Sequence, residues 1–159
     1  MKVAVIFGSK SDQEVMKKAA VTLKEFGVAC SSHILSAHRV PELLEETLAR
    51  LEAEGTELII AGAGLAAHLP GLIAAKTLLP VIAVPIVSGS LGGLDALLSI
   101  VQMPRPIPVA TVGLDNAANA AYLACEILAL KYPELKRKLL DFRKKMKEDF
   151  ARESEGVEL

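Results

Sequence analysis

The chain of 159 residues has no tryptophan, two tyrosines and four phenylalanines. With so few rings, little is available to stack on a flavin or a nucleobase. Cysteine is scarce as well. Cys30 and Cys125 lie far apart and in no metal-ligand spacing, so they read as two thiols in a reducing compartment. Neither sign of charge dominates: 18 basic and 19 acidic residues leave a net charge of -1. That balance excludes the broad basic surface of a nucleic-acid binder, so any phosphate grip must be local. The G-x-x-x-x-G-K-[ST] nucleotide loop is missing, as are a serine-histidine-acid order and a cysteine-histidine metal cluster, so no metal is expected. The N-terminal apolar run Val3–Phe7 stops at Gly8, too short for a signal peptide, and the expected location is cytoplasmic. Leu58–Ala75 has only His68 as an ionisable group, but Gly62, Gly64, Pro70 and Gly71 interrupt it. It reads as strand, loop and buried helix rather than a membrane span.

What is present is small and apolar. Hydrophobic residues make up 52 % of the chain, many of them alanine, and such an excess in a small domain suggests burial against copies of itself. The pattern alternates strand and helix. Strands are expected at Lys2–Gly8, Val28–Leu35, Leu58–Ala61, Val81–Pro85 and Ile107–Val112. Helices are expected from the loop at Ser9–Asp12 to about Phe26, and over Pro41–Glu54, Pro70–Thr77, Leu94–Val101 and Asn116–Leu130. Proline opens and glycine closes several of these. The order predicts one α/β domain over 1–159, a flavodoxin-like three-layer sandwich around a five-stranded parallel sheet. A last charged helix, about 133–152, carries the stripe Leu135, Leu139, Phe142 and Met146. It packs either on its own domain or as an arm on a neighbouring subunit.

Folds of this kind bind ligands beyond the carboxyl ends of their strands, and four segments fall there. Gly8-Ser9-Lys10-Ser11-Asp12 offers backbone N–H groups and two hydroxyls to a phosphate, and Asp12 suits a ribose diol. Ser11 with Glu14 also fits a capping box, which needs no ligand. Ser36-Ala37-His38-Arg39 joins a planar guanidinium, matched to phosphate, to an imidazole that exchanges protons near neutral pH. Histidine beside arginine also occurs in solvated loops; the strand-end position favours a site. Ala61–Gly71 is a small-residue loop whose N–H groups could cradle a carboxylate, with His68 either in the site or a bonded core histidine. Ser88–Gly93 is a lid or an ordinary glycine-rich connection. His33, inside the second strand, has no assigned role.

These runs resemble the class I family of N5-carboxyaminoimidazole ribonucleotide mutases. The resemblance extends from Val3 to about Leu139. It is carried by Gly8–Asp12, Ser36–Pro41, Ala66–Gly71, Asp95–Pro104, and Pro108–Thr111 with Asn119-Ala120. It implies a flavodoxin-like fold, a homo-octamer with sites at subunit contacts, a ribonucleotide substrate and no cofactor. It matches Ser9, Ser11, Asp12, Ser36 and Arg39 to nucleotide-binding positions, His38 to the general acid/base and His68 to a second active-site histidine. The implied reaction moves a carboxylate on an aminoimidazole ribonucleotide in purine biosynthesis. Four departures stand out: Val40 where the family often has threonine, Leu65 and Pro106 where it often has glycine, and a short Gly113–Asn119 stretch. Three other readings remain: class II enzymes that carboxylate aminoimidazole ribonucleotide directly with carbon dioxide, a flavodoxin-like module holding flavin mononucleotide, and a purely structural assembly subunit whose rim is polar by accident.

Overall fold

The computed structural model describes residues 1–154; residues 155–159 of the expected domain lie outside it. Five strands, β1 (Lys2–Phe7), β2 (Ala29–Ile34), β3 (Leu58–Gly64), β4 (Val81–Ile86) and β5 (Ala110–Thr111), form one sheet. All neighbours pair parallel, in the order β2-β1-β3-β4-β5. This is the flavodoxin-like order. The helices are α1 (Gln13–Glu25), α2 (Pro41–Ala53), α3 (His68–Ala74), α4 (Leu94–Val101), α5 (Ala117–Ala129) and α6 (Pro133–Ser154), with a 3-10 turn at Lys10–Asp12 before α1.

Alternation along the central strands divides the core in two. Val3, Val5 and Phe7 of β1 face one layer, with Met16, Ala19 and Leu23 of α1, the alanines of α5, and Leu135 and Leu139 of α6. Ala4 and Ile6 face the other, with Leu44, Leu48 and Leu51 of α2, Leu69 and Ile73 of α3, and Ala96 and Ile100 of α4. Helices thus cover both faces, which is why β1, β3 and β4 read as unbroken apolar runs. Gly62 in β3 lets Met16 of α1 press onto the sheet: a methyl group there would overlap the thioether.

Two boundaries differ instructively from the expected ones. β3 runs three residues past Ala61, because Ala63 and Gly64 pair with Pro85 and Ile86. This carries the small-residue loop out to the rim. β5 keeps only Ala110 and Thr111 of the expected Ile107–Val112. Pro104, Pro106 and Pro108 cannot donate to a ladder, so pairing waits until the prolines are passed; the Arg105–Pro106 bond is cis.

α6 packs on its own domain in its first half. Leu135 and Leu139 are buried, and Phe142 meets Phe26 and Tyr122 at ring-centre distances of 5.5 Å and 5.3 Å. Past that point the apolar stripe emerges, from Met146 to Phe150 at 72 % exposure. The opposite end of the sheet is tied down by Glu57. Burial works to raise its pKa, but bonds from Lys131 Nζ (2.8 Å) and the Tyr132 hydroxyl (2.9 Å) win and hold it down to about 2. Those contacts fasten the α5–α6 junction to the start of β3. No helix among the described residues is long and apolar enough to cross a membrane.

Candidate active site

The segments after β1, β2 and β3, together with Ser88 two positions past the end of β4, converge on one cleft of about 430 Å³. Its lining includes Ser9, Ser11, Asp12, Ser36, His38, Arg39 and His68, every residue singled out from the sequence as a site candidate. His33 stays apart; its ring bonds the Ser31 hydroxyl at 3.0 Å on the edge strand.

The phosphate-suited corner forms around a guanidinium. Arg39 Nη2 donates to the Gly8 carbonyl at 3.1 Å, and the Arg39 N–H donates to Ser36 Oγ at 3.3 Å. This brings the turn after β2 against the turn after β1. In the first turn, Ser9 rather than Ser11 is the capping residue. Ser9 Oγ accepts the Ser11 N–H at 3.4 Å and lies 3.0 Å from the Ser11 hydroxyl oxygen. The Ser11–Glu14 capping box is therefore not formed: Asp12 stands at the N-cap of α1 and makes no side-chain cap bond. The hydroxyl of Ser11 also donates to Asp12 Oδ1 at 3.0 Å. Two serines and a carboxylate are thus linked to each other at the cleft wall.

Asp12 is only 8 % exposed. Burial raises its pKa above the usual carboxylate range, with the bonds from Ser11 and the Ser9 backbone opposing. A raised acid pKa means folding favours the protonated form. The stabilising contribution is complete below the unfolded carboxyl's pKa and is lost as pH rises through the raised value. At neutral pH the buried charge therefore burdens the fold, as functional groups commonly do. Asp12→Asn is expected to raise the melting temperature at pH 7, by a margin that shrinks on acidification, while weakening substrate binding. Thermal melts at two pH values and a KM measurement check this; a lower melting temperature at pH 7 would count against it.

A second corner of the cleft holds a pair of imidazoles. His38 Nε2 and His68 Nδ1 are 2.8 Å apart, with the rings edge to face at 4.9 Å between centres. One of these nitrogens carries the shared proton, and which one follows the tautomer. Nδ1 of His38 and Nε2 of His68 lie outside this bond. His68 reaches the pair because α3 starts at that residue, two positions earlier than proline placement alone predicts; Ala67 before it adopts φ 45°. Around the pair lie Ala37, Ala63, Gly64, Ala66 and Ala67. Both imidazoles also line a smaller hollow of about 320 Å³, with Gly71, Ser99 and Met103 in its wall.

Sequence reasoning did not single out Ser88 as an individual site residue. It lies at the cleft against Gly64, where any side chain on Gly64 would collide with its hydroxyl. The available signal was its place just past a buried strand. The start of the following loop is fixed by Asp115, whose Oδ1 accepts the Val87 N–H at 2.9 Å. No phenylalanine or tyrosine lines the cleft, so a flavin ring would find no aromatic face beyond the two imidazoles.

The arrangement can hold an anion at one end, hold a diol beside it, and move a proton at the other end in a small apolar space. Known proteins agree in kind. The family model for AIR carboxylase matches residues 2–149. An N5-carboxyaminoimidazole ribonucleotide mutase of Pyrococcus abyssi is 60 % identical over 146 residues, covering 92 % of this chain and 84 % of that one. The mutase of Thermotoga maritima is 50 % identical over 157 residues, covering 99 % and 92 %. The crystal structure of Treponema denticola PurE superposes with a TM-score of 0.91 at 29 % identity, covering 99 % of both chains. The chain belongs to the AIR carboxylase family.

Proposed function

We propose that the protein is an N5-carboxyaminoimidazole ribonucleotide mutase of purine biosynthesis, an isomerase that converts the N5-carbamate to 4-carboxy-5-aminoimidazole ribonucleotide. The observation that carries the reading is the His38–His68 pair beside Arg39, in a cleft otherwise walled by small residues. The curated relatives bearing the mutase name support it across nearly the whole chain.

In this reading Arg39, Ser9, Ser11 and Ser36 hold the phosphate through charge-assisted and hydroxyl bonds, and Asp12 accepts from the ribose hydroxyls. The carbamate N–C bond breaks. Its electron pair stays on the exocyclic nitrogen, which takes a proton from His38, and carbon dioxide is left in the cleft. The electron pair of ring carbon C4 then attacks the carbon dioxide, forming a C–C bond. The proton on C4 leaves to His38, which restores the acid form it began with. No atom is gained or lost, so one imidazole serves both directions and the chemistry calls for no cofactor. Confinement keeps the carbon dioxide beside C4 and replaces a bimolecular capture by an intramolecular one. His68 fixes the orientation and tautomer of His38.

The assembly proposed with this function is a homo-octamer of single-domain chains in the cytoplasm. Its support is the exposed apolar side of α4 and the loop before it: Leu91, Leu94, Leu98 and Val101 are all at least 48 % exposed. Such a surface suits contact with a second copy. The emergent half of α6 is the proposed arm onto a neighbour.

The direct test is conversion of the carbamate substrate in bicarbonate-free buffer. Turnover without added bicarbonate is the expected result. A strict bicarbonate requirement would overturn the mutase reading in favour of direct carboxylation, and a yellow, flavin-bearing preparation would favour the binding module.

A further inference from the structure

Ser88 is the single residue that the segment after β4 contributes to the cleft, and the sheet sets where its hydroxyl points. A methyl group on Gly64 would lie 2.4 Å from Ser88 Oγ but 3.3 Å from Ser88 Cβ. The hydroxyl therefore leans from β4 over β3. Since β3 lies between β4 and β1, it leans toward the turn after β1, where Asp12 stands.

The face is fixed in the same way. Residues two apart on a strand share a face. A methyl group on Gly62 would overlap Met16 of α1, so position 64 also faces the α1 side, and Asp12 is the N-cap of that helix. α3, which starts at His68, packs on the opposite face through Leu69 and Ile73. Ser88 and Asp12 thus stand on one side of the sheet, on strands two spacings or roughly 10 Å apart. That separation leaves room for a sugar diol with a hydrogen bond of about 2.8 Å at each end.

The serine is held in place by its neighbours. The Val87 N–H donates to Asp115 Oδ1 at 2.9 Å, and a methyl group on Gly93 would meet Val87 Cα at 3.1 Å. Among the described residues the Ser88 hydroxyl enters no hydrogen bond, whereas that of Ser11 donates to Asp12. A carboxylate only accepts. A diol that gives its protons to Asp12 still has oxygens that need a donor from the other wall.

We propose that Ser88 is a specificity-determining residue: its hydroxyl donates to one ribose hydroxyl from the β4 side, opposite Asp12, and selects ribonucleotides over deoxyribonucleotides. This rests on the mutase reading above. Gly64 has no side chain because the Ser88 hydroxyl occupies that space.

Dissociation constants measured by calorimetry test this, for aminoimidazole ribonucleotide and its 2′-deoxy and 3′-deoxy analogues, on wild type, Ser88→Ala and Gly64→Ala. Ser88→Ala trims a half-buried side chain, and its melting temperature is expected to stay near that of wild type. It is expected to bind the ribonucleotide about fivefold to tenfold more weakly, the scale of one net hydrogen bond. The analogue that lacks the hydroxyl met by Ser88 should bind Ser88→Ala as tightly as wild type. Gly64→Ala, whose methyl displaces the Ser88 hydroxyl, should weaken the ribonucleotide and spare the same analogue. Equal weakening of all three ligands by Ser88→Ala would put the contact on the phosphate or the base and overturn the proposal. An unchanged ribonucleotide affinity in either variant also overturns it. All of these outcomes leave the mutase reading standing, whereas a wild type that does not bind aminoimidazole ribonucleotide sinks that reading and this proposal with it.

Discussion

Replacing His38 with asparagine is expected to lower kcat by about a thousandfold, the scale of a lost general acid/base, while the melting temperature stays close to that of wild type. Asparagine keeps a side-chain N–H that can still donate to His68 Nδ1, the partner His38 meets at 2.8 Å, and the site is surface-facing rather than core. The variant therefore removes proton transfer without removing the contact. Both halves of the reaction need that proton, one at the exocyclic nitrogen and one at C4, so a single substitution blocks both directions alike. Forward and reverse rates measured on the same preparation, with a thermal melt beside them, check the prediction. A variant that keeps a tenth or more of wild-type kcat, a barrier change of no more than about 1.4 kcal/mol, would remove His38 from the acid/base role.

The second large effect is expected at Arg39. Arg39→Leu should raise KM about a hundredfold, the loss of a bidentate charge-assisted phosphate contact, and lower kcat much less, because the phosphate is bound alike before and during the reaction. Arg39→Lys should recover only part of this, since an ammonium cannot present the planar fork that reaches both a phosphate and the Gly8 carbonyl 3.1 Å away. Steady-state kinetics on both variants test this. A KM unchanged in Arg39→Leu would place the phosphate elsewhere in the cleft.

The parts of this molecule that were readable in advance were those set by local rules. The buried runs in β1, β3 and β4 come from helices covering both faces of the sheet. The helix starts at Pro41 and Pro133 come from proline's fixed φ. The rim location of Ser9, Ser36 and His38 follows from parallel topology, because every such strand delivers its carboxyl end to the same side. What was not readable depended on contacts between distant segments. Whether Ser11 would cap a helix turned on Ser9, which takes that role and leaves the Ser11 hydroxyl to Asp12. Whether His68 was a core or a cleft residue turned on β3 running out to Gly64 and on a left-handed Ala67. The contact of Leu65 with Gly89, 24 positions away in the chain, is another that no local rule supplies. β5 shrank because three prolines in the approach cannot join a ladder, a constraint visible in the sequence but outweighed there by the apolar pattern.

The alanines and glycines around the imidazole pair have one more consequence. In the proposed cycle His38 gives one hydrogen to the exocyclic nitrogen and takes another from C4, so a turnover leaves no net proton to trade with bulk solvent. A cleft working this way needs no chain of ordered waters or relay of hydroxyls leading outward, and its walls are free to be built from side chains that conduct nothing. Catalysis of this kind should be indifferent to the identity and concentration of the buffer.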